Sequence, residues 1–365
     1  MSRNAIRGPP AASALPSPPV SDPVARRYSM KKTATSALLV RAVAIAAALG
    51  PFPAGSAGAA AQETPRPGGD PAAGFHAVGL QTRPVDPLVD ADWLMRHLGD
   101  DDLVVVELER RPGEYATEHI AGARRLRFTD ITWDGESGWR SEFRTVDETV
   151  AALRAAGIGR DSRVVIYGNS MTATARAWVT FDLLGLGDRA FLLNGGIQAW
   201  KAAGGAVESG DGPAVEPGDV VPLSPVDFRV SADWIHERLG DPSLVLLDAR
   251  PDDEYTGDDG GLGGMANPGH IPGAAQLYWE ELMDPANNTL FRPREEIAQI
   301  LERHGAGEGK THVTYCMIGM RASVDYIAAR MLGLDIHFYD GSWYDWGTRD
   351  DLPTETGPDP RDGGR

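Results

Sequence analysis

The second half of the chain alternates brief apolar runs with stretches whose apolar positions recur at helical spacing. Leu244–Asp248, Val313–Cys316 and Ile336–Tyr339 are short runs bounded by Gly, Pro or charge, and they read as buried strands. Ala232–Leu239, Arg294–His304 and Ala322–Leu332 gather their apolar residues on one helical face. Pro293 stands just ahead of the second of these, where its fixed backbone angle suits a helix start. Strands alternating with helices predict an α/β fold, a mostly parallel sheet flanked by helices on both faces. Sites in such sheets lie beyond the carboxyl ends of the strands, which singles out the turn after Val313–Tyr315.

The same pattern occurs earlier in the chain. Val89-Asp90-Ala91-Asp92-Trp93-Leu94 returns as Val230-Ser231-Ala232-Asp233-Trp234-Ile235, and Leu103–Glu107 returns as Leu244–Asp248. His119-Ile120-Ala121-Gly122-Ala123 answers His270-Ile271-Pro272-Gly273-Ala274, after a Gly-rich insertion around Gly257 to Gly264. Val164-Val165-Ile166-Tyr167 matches His312-Val313-Thr314-Tyr315, and Asn194-Gly195-Gly196 with Trp200 matches Asp340-Gly341-Ser342 with Trp346. Ordered matches of this kind predict two tandem domains, 75–206 and 225–350. Between them 207–224, rich in Gly, Pro and acid, reads as a linker, and 351–365 as a tail.

The first 61 residues break the pattern. Residues 1–29 are rich in Pro, Ser and Ala; Met30, Lys31 and Lys32 then precede an apolar stretch from Ala37 to Gly50, and small residues end at Ala59-Ala60-Ala61. That order predicts an export signal over 1–61. Its core is short and interrupted by Arg41, so no membrane span is expected once the signal is removed. Initiation at Met30 gives a general secretory signal, whereas initiation at Met1 keeps Arg26-Arg27-Tyr28-Ser29-Met30-Lys31, which resembles a twin-arginine signal. Either route predicts an exported, periplasmic protein.

A formal charge of −17, from 52 acidic and 35 basic side chains, argues against nucleic acid as a partner. It also means that an anionic substrate needs a locally positive pocket. The eight histidines show no metal-ligand spacing, so no metal is called for. One cysteine in the chain makes an internal disulfide impossible, and alone it reads as a small buried hydrophobe.

Its setting changes that reading. Cys316-Met317-Ile318-Gly319-Met320-Arg321 forms a turn from a strand into a helix starting near Ala322. Backbone N–H groups of such a turn converge on one point and favour an anion. The same dipoles favour thiolate over thiol at Cys316. Gly319 lets the loop curl, and Arg321 can pair with an anionic substrate or with a carboxylate that braces the loop. In the first repeat Gly168 stands in the place of Cys316 and Ala173 in that of Arg321, so nucleophile and basic partner are missing together.

These residues resemble the tandem rhodanese family of thiosulfate and 3-mercaptopyruvate sulfurtransferases, over roughly residues 86–350. The likeness is carried by Asp248-Ala249-Arg250 with Glu254-Tyr255, by Gly269-His270-Ile271-Pro272-Gly273-Ala274, by Tyr315-Cys316 with its loop, and by Tyr339-Asp340-Gly341-Ser342-Trp343. The resemblance implies an inactive first domain and a second in which Cys316 carries sulfur as a persulfide. It implies small partners: an anionic sulfur donor, and cyanide or a thiol as acceptor. Arg321, Met317, Ile318, Gly319, Met320 and Arg250 become the candidate substrate-binding residues, and Asp248 a brace for the loop. Met317 and Ile318 match neither the basic residues of the thiosulfate type nor the small polar ones of the mercaptopyruvate type. The Ile-Gly-x-Arg ending resembles bacterial thiosulfate-type members. Some members place a basic residue for substrate four after the Asp-x-Arg arginine; here it is Glu254. A related phosphatase loop needs one residue more between Cys and Arg, which leaves a 3-mercaptopyruvate enzyme and a persulfide carrier as the alternatives. His119 and His270, present in both repeats, read as turn residues; Trp93, Trp200, Trp234 and Trp346 read as core.

Overall fold

Runs of Val, Leu and Ile form the central strands of each repeat, because both faces of a parallel sheet are covered. The computed structural model describes residues 83–134, 141–223, 227–259 and 267–361. The predicted leader 1–61, the middle of the Gly-rich insertion and residues 362–365 lie outside them.

The first repeat contains β1 (Leu88–Val89), α1 (Ala91–His97), β2 (Leu103–Glu109), β3 (Arg124–Arg127), α2 (Val146–Ala155), β4 (Arg163–Tyr167), α3 (Met171–Leu183), β5 (Ala190–Leu193) and α4 (Gly196–Ala202). Its sheet has the order β1-β5-β4-β2-β3, with every neighbouring pair parallel. The second repeat contains α5 (Ala232–His236), β6 (Leu244–Asp248), β7 (Ala275–Gln276), α6 (Arg294–Arg303), β8 (Thr311–Tyr315), α7 (Ala322–Leu332), β9 (Asp335–Phe338) and α8 (Ser342–Trp346). Its sheet is β7-β6-β8-β9, again all parallel, and a single bridge from Arg229 to Phe338 takes the place of β1. Small two-stranded pairs complete both repeats.

The opening helix of each repeat is capped in the same way. Asp90 Oδ1 accepts a hydrogen bond from Trp93 N (2.6 Å), and Ser231 Oγ accepts one from Trp234 N (3.1 Å). Two expected strands end differently from their sequence pattern. β8 stops at Tyr315, because the Cys316 amide donates to the Ser342 hydroxyl (3.3 Å) instead of to a neighbouring strand. β9 stops at Phe338. The helix expected over Ala232–Leu239 ends at His236, and the chain leaves it through Gly240 at φ 84°.

Alternate residues of β2 serve two interiors. Val105 joins Leu94, Ile120, Tyr167 and Trp200 on one face, while Val104, Val106 and Leu108 join α2 and α3 on the other. That second interior continues without a break into the next repeat, taking in Leu247, Ile327 and Phe338. Helices α3 and α7 pack on each other at this junction. Both are rich in buried alanine (Ala173, Ala175, Ala177; Ala322, Ala328, Ala329), which lets their backbones approach. Asp182 of α3 fixes the junction by accepting from the Tyr326 hydroxyl (2.9 Å) and Arg330 Nε (3.0 Å). Both repeats therefore belong to one packed unit.

Each predicted turn histidine stacks on the tyrosine that precedes it and hydrogen-bonds its backbone oxygen. His119 does so with Tyr115 (2.7 Å), His270 with Tyr255 (2.9 Å). The identical arrangement with and without the cysteine gives these histidines a structural role. Trp200 and Trp346 are buried as expected, whereas Trp93 and Trp234 are half-buried and lie under Arg163 and Arg238.

Candidate active site at the Cys316 loop

Cys316 sits where β8 gives way to α7, at the carboxyl edge of the sheet. It is fully enclosed, with no solvent-accessible surface. The loop is held from outside by α8: Trp343 N donates to Cys316 O (2.9 Å) and Tyr344 N to Met317 O (3.0 Å). Ser342 adopts φ 53° to bring its hydroxyl under the Cys316 amide while donating to Tyr339 O (2.9 Å). A non-glycine residue held in that region costs energy that the surrounding structure must supply. Within the loop, the amides of Met317, Ile318, Gly319, Met320 and Arg321 have no protein acceptor among the described residues. Gly319 takes φ 79°, and an added Cβ there would meet Arg176 Nη1 at 3.0 Å and Asp340 Oδ1 at 3.2 Å. Only glycine fits.

The side chains of Met317 and Met320 are buried in the two apolar interiors that flank the sheet, and Ile318 is half-buried against both. They anchor the loop, and its backbone amides are left without an acceptor.

Two ion pairs brace the surroundings. The Arg250 guanidinium is fully enclosed and donates to Asp248 through Nε (2.9 Å) and Nη2 (2.6 Å), to Gly269 O through Nη2 (2.8 Å) and to Glu254 O through Nη1 (3.2 Å). It also lies 4.6 Å from the ring centre of Trp343, which is buried. Arg321, at the start of α7, donates from Nη1 to Glu254 Oε1 (2.9 Å) and from Nη2 to Oε2 (2.7 Å). Burial pushes the Arg321 guanidinium down, but Glu254 and Cys316 more than reverse this and the net shift is upward. Glu254, conspicuous in the sequence as an acid in a basic position, is thus the partner of the loop arginine.

A residue that sequence reasoning missed comes from the other repeat. Arg176 of α3 is fully buried against the loop, with its guanidinium 3.3 Å from the ring centre of Phe143. Its Nη2 donates to Ser141 O (2.7 Å) and to Asp340 Oδ1, while Nε and Nη1 have no partner among the described residues. Burial pushes this guanidinium down, opposed by Asp340 and by Cys316. A second such group is Asp325 on α7, whose two carboxylate oxygens are buried without a partner among the described residues. Burial raises it well above the ordinary carboxylate range, with Cys316 adding to the effect.

The first repeat lacks this loop for a visible reason. Its helix α3 begins at Met171, only three positions beyond Gly168, whereas α7 begins at Ala322, six beyond Cys316. A Cβ on Gly168 would meet Thr174 Oγ1 at 2.8 Å and Leu108 O at 2.9 Å, so a cysteine could not stand there unchanged. Glu107, the counterpart of Asp248, has no arginine beside it. It accepts from the Tyr167 hydroxyl (2.8 Å) through one oxygen while the other is unpaired. Burial raises it from 4.5 to about 7, opposed by Tyr167 and assisted by Glu114, Glu109 and Glu118. Because the folded value is raised, its contribution is complete below the unfolded value and is lost as pH rises through 7. Glu107→Gln is therefore expected to raise the urea midpoint at pH 8 by the equivalent of up to about 3 kcal/mol and to change it little at pH 5. Equal shifts at both pH values would refute this.

Comparison with known proteins decides the family. A profile of the rhodanese-like domain matches residues 90–203 and again 231–349. The chain belongs to the rhodanese family. It is 32% identical over 286 residues to the thiosulfate sulfurtransferase of Corynebacterium glutamicum, covering 74% of this chain and 90% of that one. It is 30% identical over 283 residues to the sulfur carrier protein TtuD of Thermus thermophilus, covering 74% and 96%. Among solved structures, the anaerobic ergothioneine biosynthesis enzyme of Chlorobium limicola, in complex with trimethyl histidine, aligns with a TM-score of 0.65 at 27% identity over 75% of this chain and 71% of that one. This rhodanese, two α/β repeats with one cysteine loop, is a sulfurtransferase.

Proposed function

We propose that this rhodanese transfers the outer sulfur of thiosulfate, through a persulfide on Cys316, to a thiophilic acceptor such as cyanide or a thiol. The observation that carries the reading is the set of unclaimed amides from Met317 to Arg321, in the loop that a lone cysteine opens and that one repeat only contains. Those donors suit the thiolate first and the persulfide anion afterwards. In the loading step a lone pair of Cys316 Sγ forms a bond to the outer sulfur of thiosulfate. The bond from that sulfur to the sulfonate breaks, and its electron pair leaves with sulfite. In the unloading step the acceptor attacks the outer persulfide sulfur, and the electron pair of the S–S bond returns to Cys316 as thiolate. With cyanide the product is thiocyanate. The chemistry needs no cofactor. Arg321 and Arg250 enter it as supports, since their donors are committed to Glu254 and Asp248.

Thiosulfate is favoured over 3-mercaptopyruvate by the Ile318-Gly319-Met320-Arg321 ending and by the name borne by the Corynebacterium relative. The complete enclosure of Cys316 favours a second reading, a carrier that holds sulfur away from water, as the name of the Thermus relative has it for that protein. Steady-state assays with thiosulfate and with 3-mercaptopyruvate, each against cyanide, separate the readings. The expected result is repeated turnover with kcat/KM at least about tenfold higher for thiosulfate, a difference of about 1.4 kcal/mol in transition-state binding. A single stoichiometric loading with no turnover would make the protein a carrier, and preference for 3-mercaptopyruvate would reverse the donor.

A further inference from the structure

We infer that Arg176, on the repeat without a cysteine, binds the anionic end of the sulfur donor. The inference rests on the sulfurtransferase reading of Cys316 and goes beyond it by naming the cation that selects the substrate.

A doubly charged donor entering an acidic protein needs a guanidinium or ammonium with N–H groups to spare. The loop itself offers none, since Met317, Ile318 and Met320 are apolar. The Arg250 guanidinium spends donors on Asp248, Glu254 O and Gly269 O. Arg321 is paired in a fork with Glu254. Arg176 differs. It lies against Gly319, close enough that a methyl group there would touch Nη1, and it is completely buried with Nε and Nη1 both unpaired among the described residues. Its remaining nitrogen is tethered to Asp340 and Ser141 O, which fixes the plane of the guanidinium. Asp340 belongs to the second repeat and also accepts from the Phe143 amide (3.2 Å), so the tether itself spans the two repeats.

Buried N–H groups without acceptors are costly, and a protein seldom keeps two on one side chain unless something fills them. A sulfonate beside Gly319 would accept from Nε and Nη1 as well as from loop amides. It would then lie next to Cys316 with its outer sulfur toward the thiolate. Gly319, which Arg176 touches, is three residues from Cys316 in the same loop, so guanidinium and sulfur belong to one short stretch of the structure. The silent repeat thus completes the active one.

The test separates the two half-reactions. Protein stripped of sulfur is mixed with thiosulfate, and persulfide on Cys316 is followed by mass spectrometry. The loaded protein is then treated with a neutral trialkylphosphine, which takes the outer sulfur as phosphine sulfide and returns the thiolate. In Arg176→Met the thiosulfate concentration for half-maximal loading rate should rise about 10- to 100-fold, the worth of hydrogen bonds to a charged group. Unloading to the phosphine, after loading at saturating thiosulfate, should change by less than about twofold. Arg176→Gln, whose amide can still reach Asp340, serves if the methionine variant does not fold. Wild-type half-saturation in the folded variant overturns the inference. So does an equal loss in both half-reactions, which would make Arg176 a support for the loop.

Alkylation of Cys316 keeps the two claims distinct. Arg176→Met should slow reaction with anionic iodoacetate while leaving neutral iodoacetamide unaffected, even if the wild type never loads from thiosulfate. In that last case the proposed donor falls and the anion site stands. An unchanged ratio of the two alkylation rates would remove the anion site.

Discussion

Cys316→Ser is expected to abolish persulfide formation and to lower thiosulfate-to-cyanide turnover by at least about 10³-fold. Serine differs from cysteine by one atom, so the enclosed site can accept it without repacking, and the melting temperature should barely move. Its hydroxyl, however, is a far poorer nucleophile toward sulfur than a cysteine sulfur. Oxygen also forms no analogue of the persulfide, so both half-reactions lose their intermediate. Mass spectrometry of the thiosulfate-treated variant should detect no sulfur adduct. A Ser variant that turns over at the wild-type rate would remove Cys316 from the chemistry altogether.

The second large effect is on stability. Arg250→Met is expected to destabilise the protein by about 3–5 kcal/mol, because it strands the fully buried Asp248 carboxylate without its partner. Two backbone oxygens, Glu254 O and Gly269 O, lose a donor at the same time. The double variant Asp248→Asn/Arg250→Met should recover much of this, since no unpaired charge is left behind. Urea unfolding of the four proteins measures the coupling. A single variant within about 1 kcal/mol of wild type would mean that water reaches Asp248 and that the pair is not a brace. The effect on chemistry would be indirect, through the loop that Arg250 and Trp343 support together.

The sequence made the strand-loop-helix junction of the second repeat legible because its signals were local. An apolar run ends at Tyr315, glycine follows three residues after the cysteine, and helical spacing begins at Ala322, where α7 starts. The repeat made the first fold readable from the second. What was not legible depended on partners far apart in the chain. Arg176 and Asp340 are separated by 164 positions, and nothing near either one announces the other. There was one signal: an arginine in the midst of the largely apolar stretch from Ala173 to Phe181, where a charge is rarely tolerated unless paired or used. Glu254 misled for a related reason. Judged against a basic residue at that place it looked like a defect, yet it matches Arg321 across 67 positions. The shortened junction after Gly168 could not be read either, because the residues absorbed into the start of α3 are as compatible with a helix as with a loop.

The unbroken apolar interior that joins the two halves has an evolutionary meaning. When one copy of a duplicated fold loses its reactive group, drift ordinarily erodes it. Here erosion would uncover the flank of the surviving copy, so selection on chemistry in one half also preserves packing in the other. The half without a cysteine is thereby kept as packing for the half that has one.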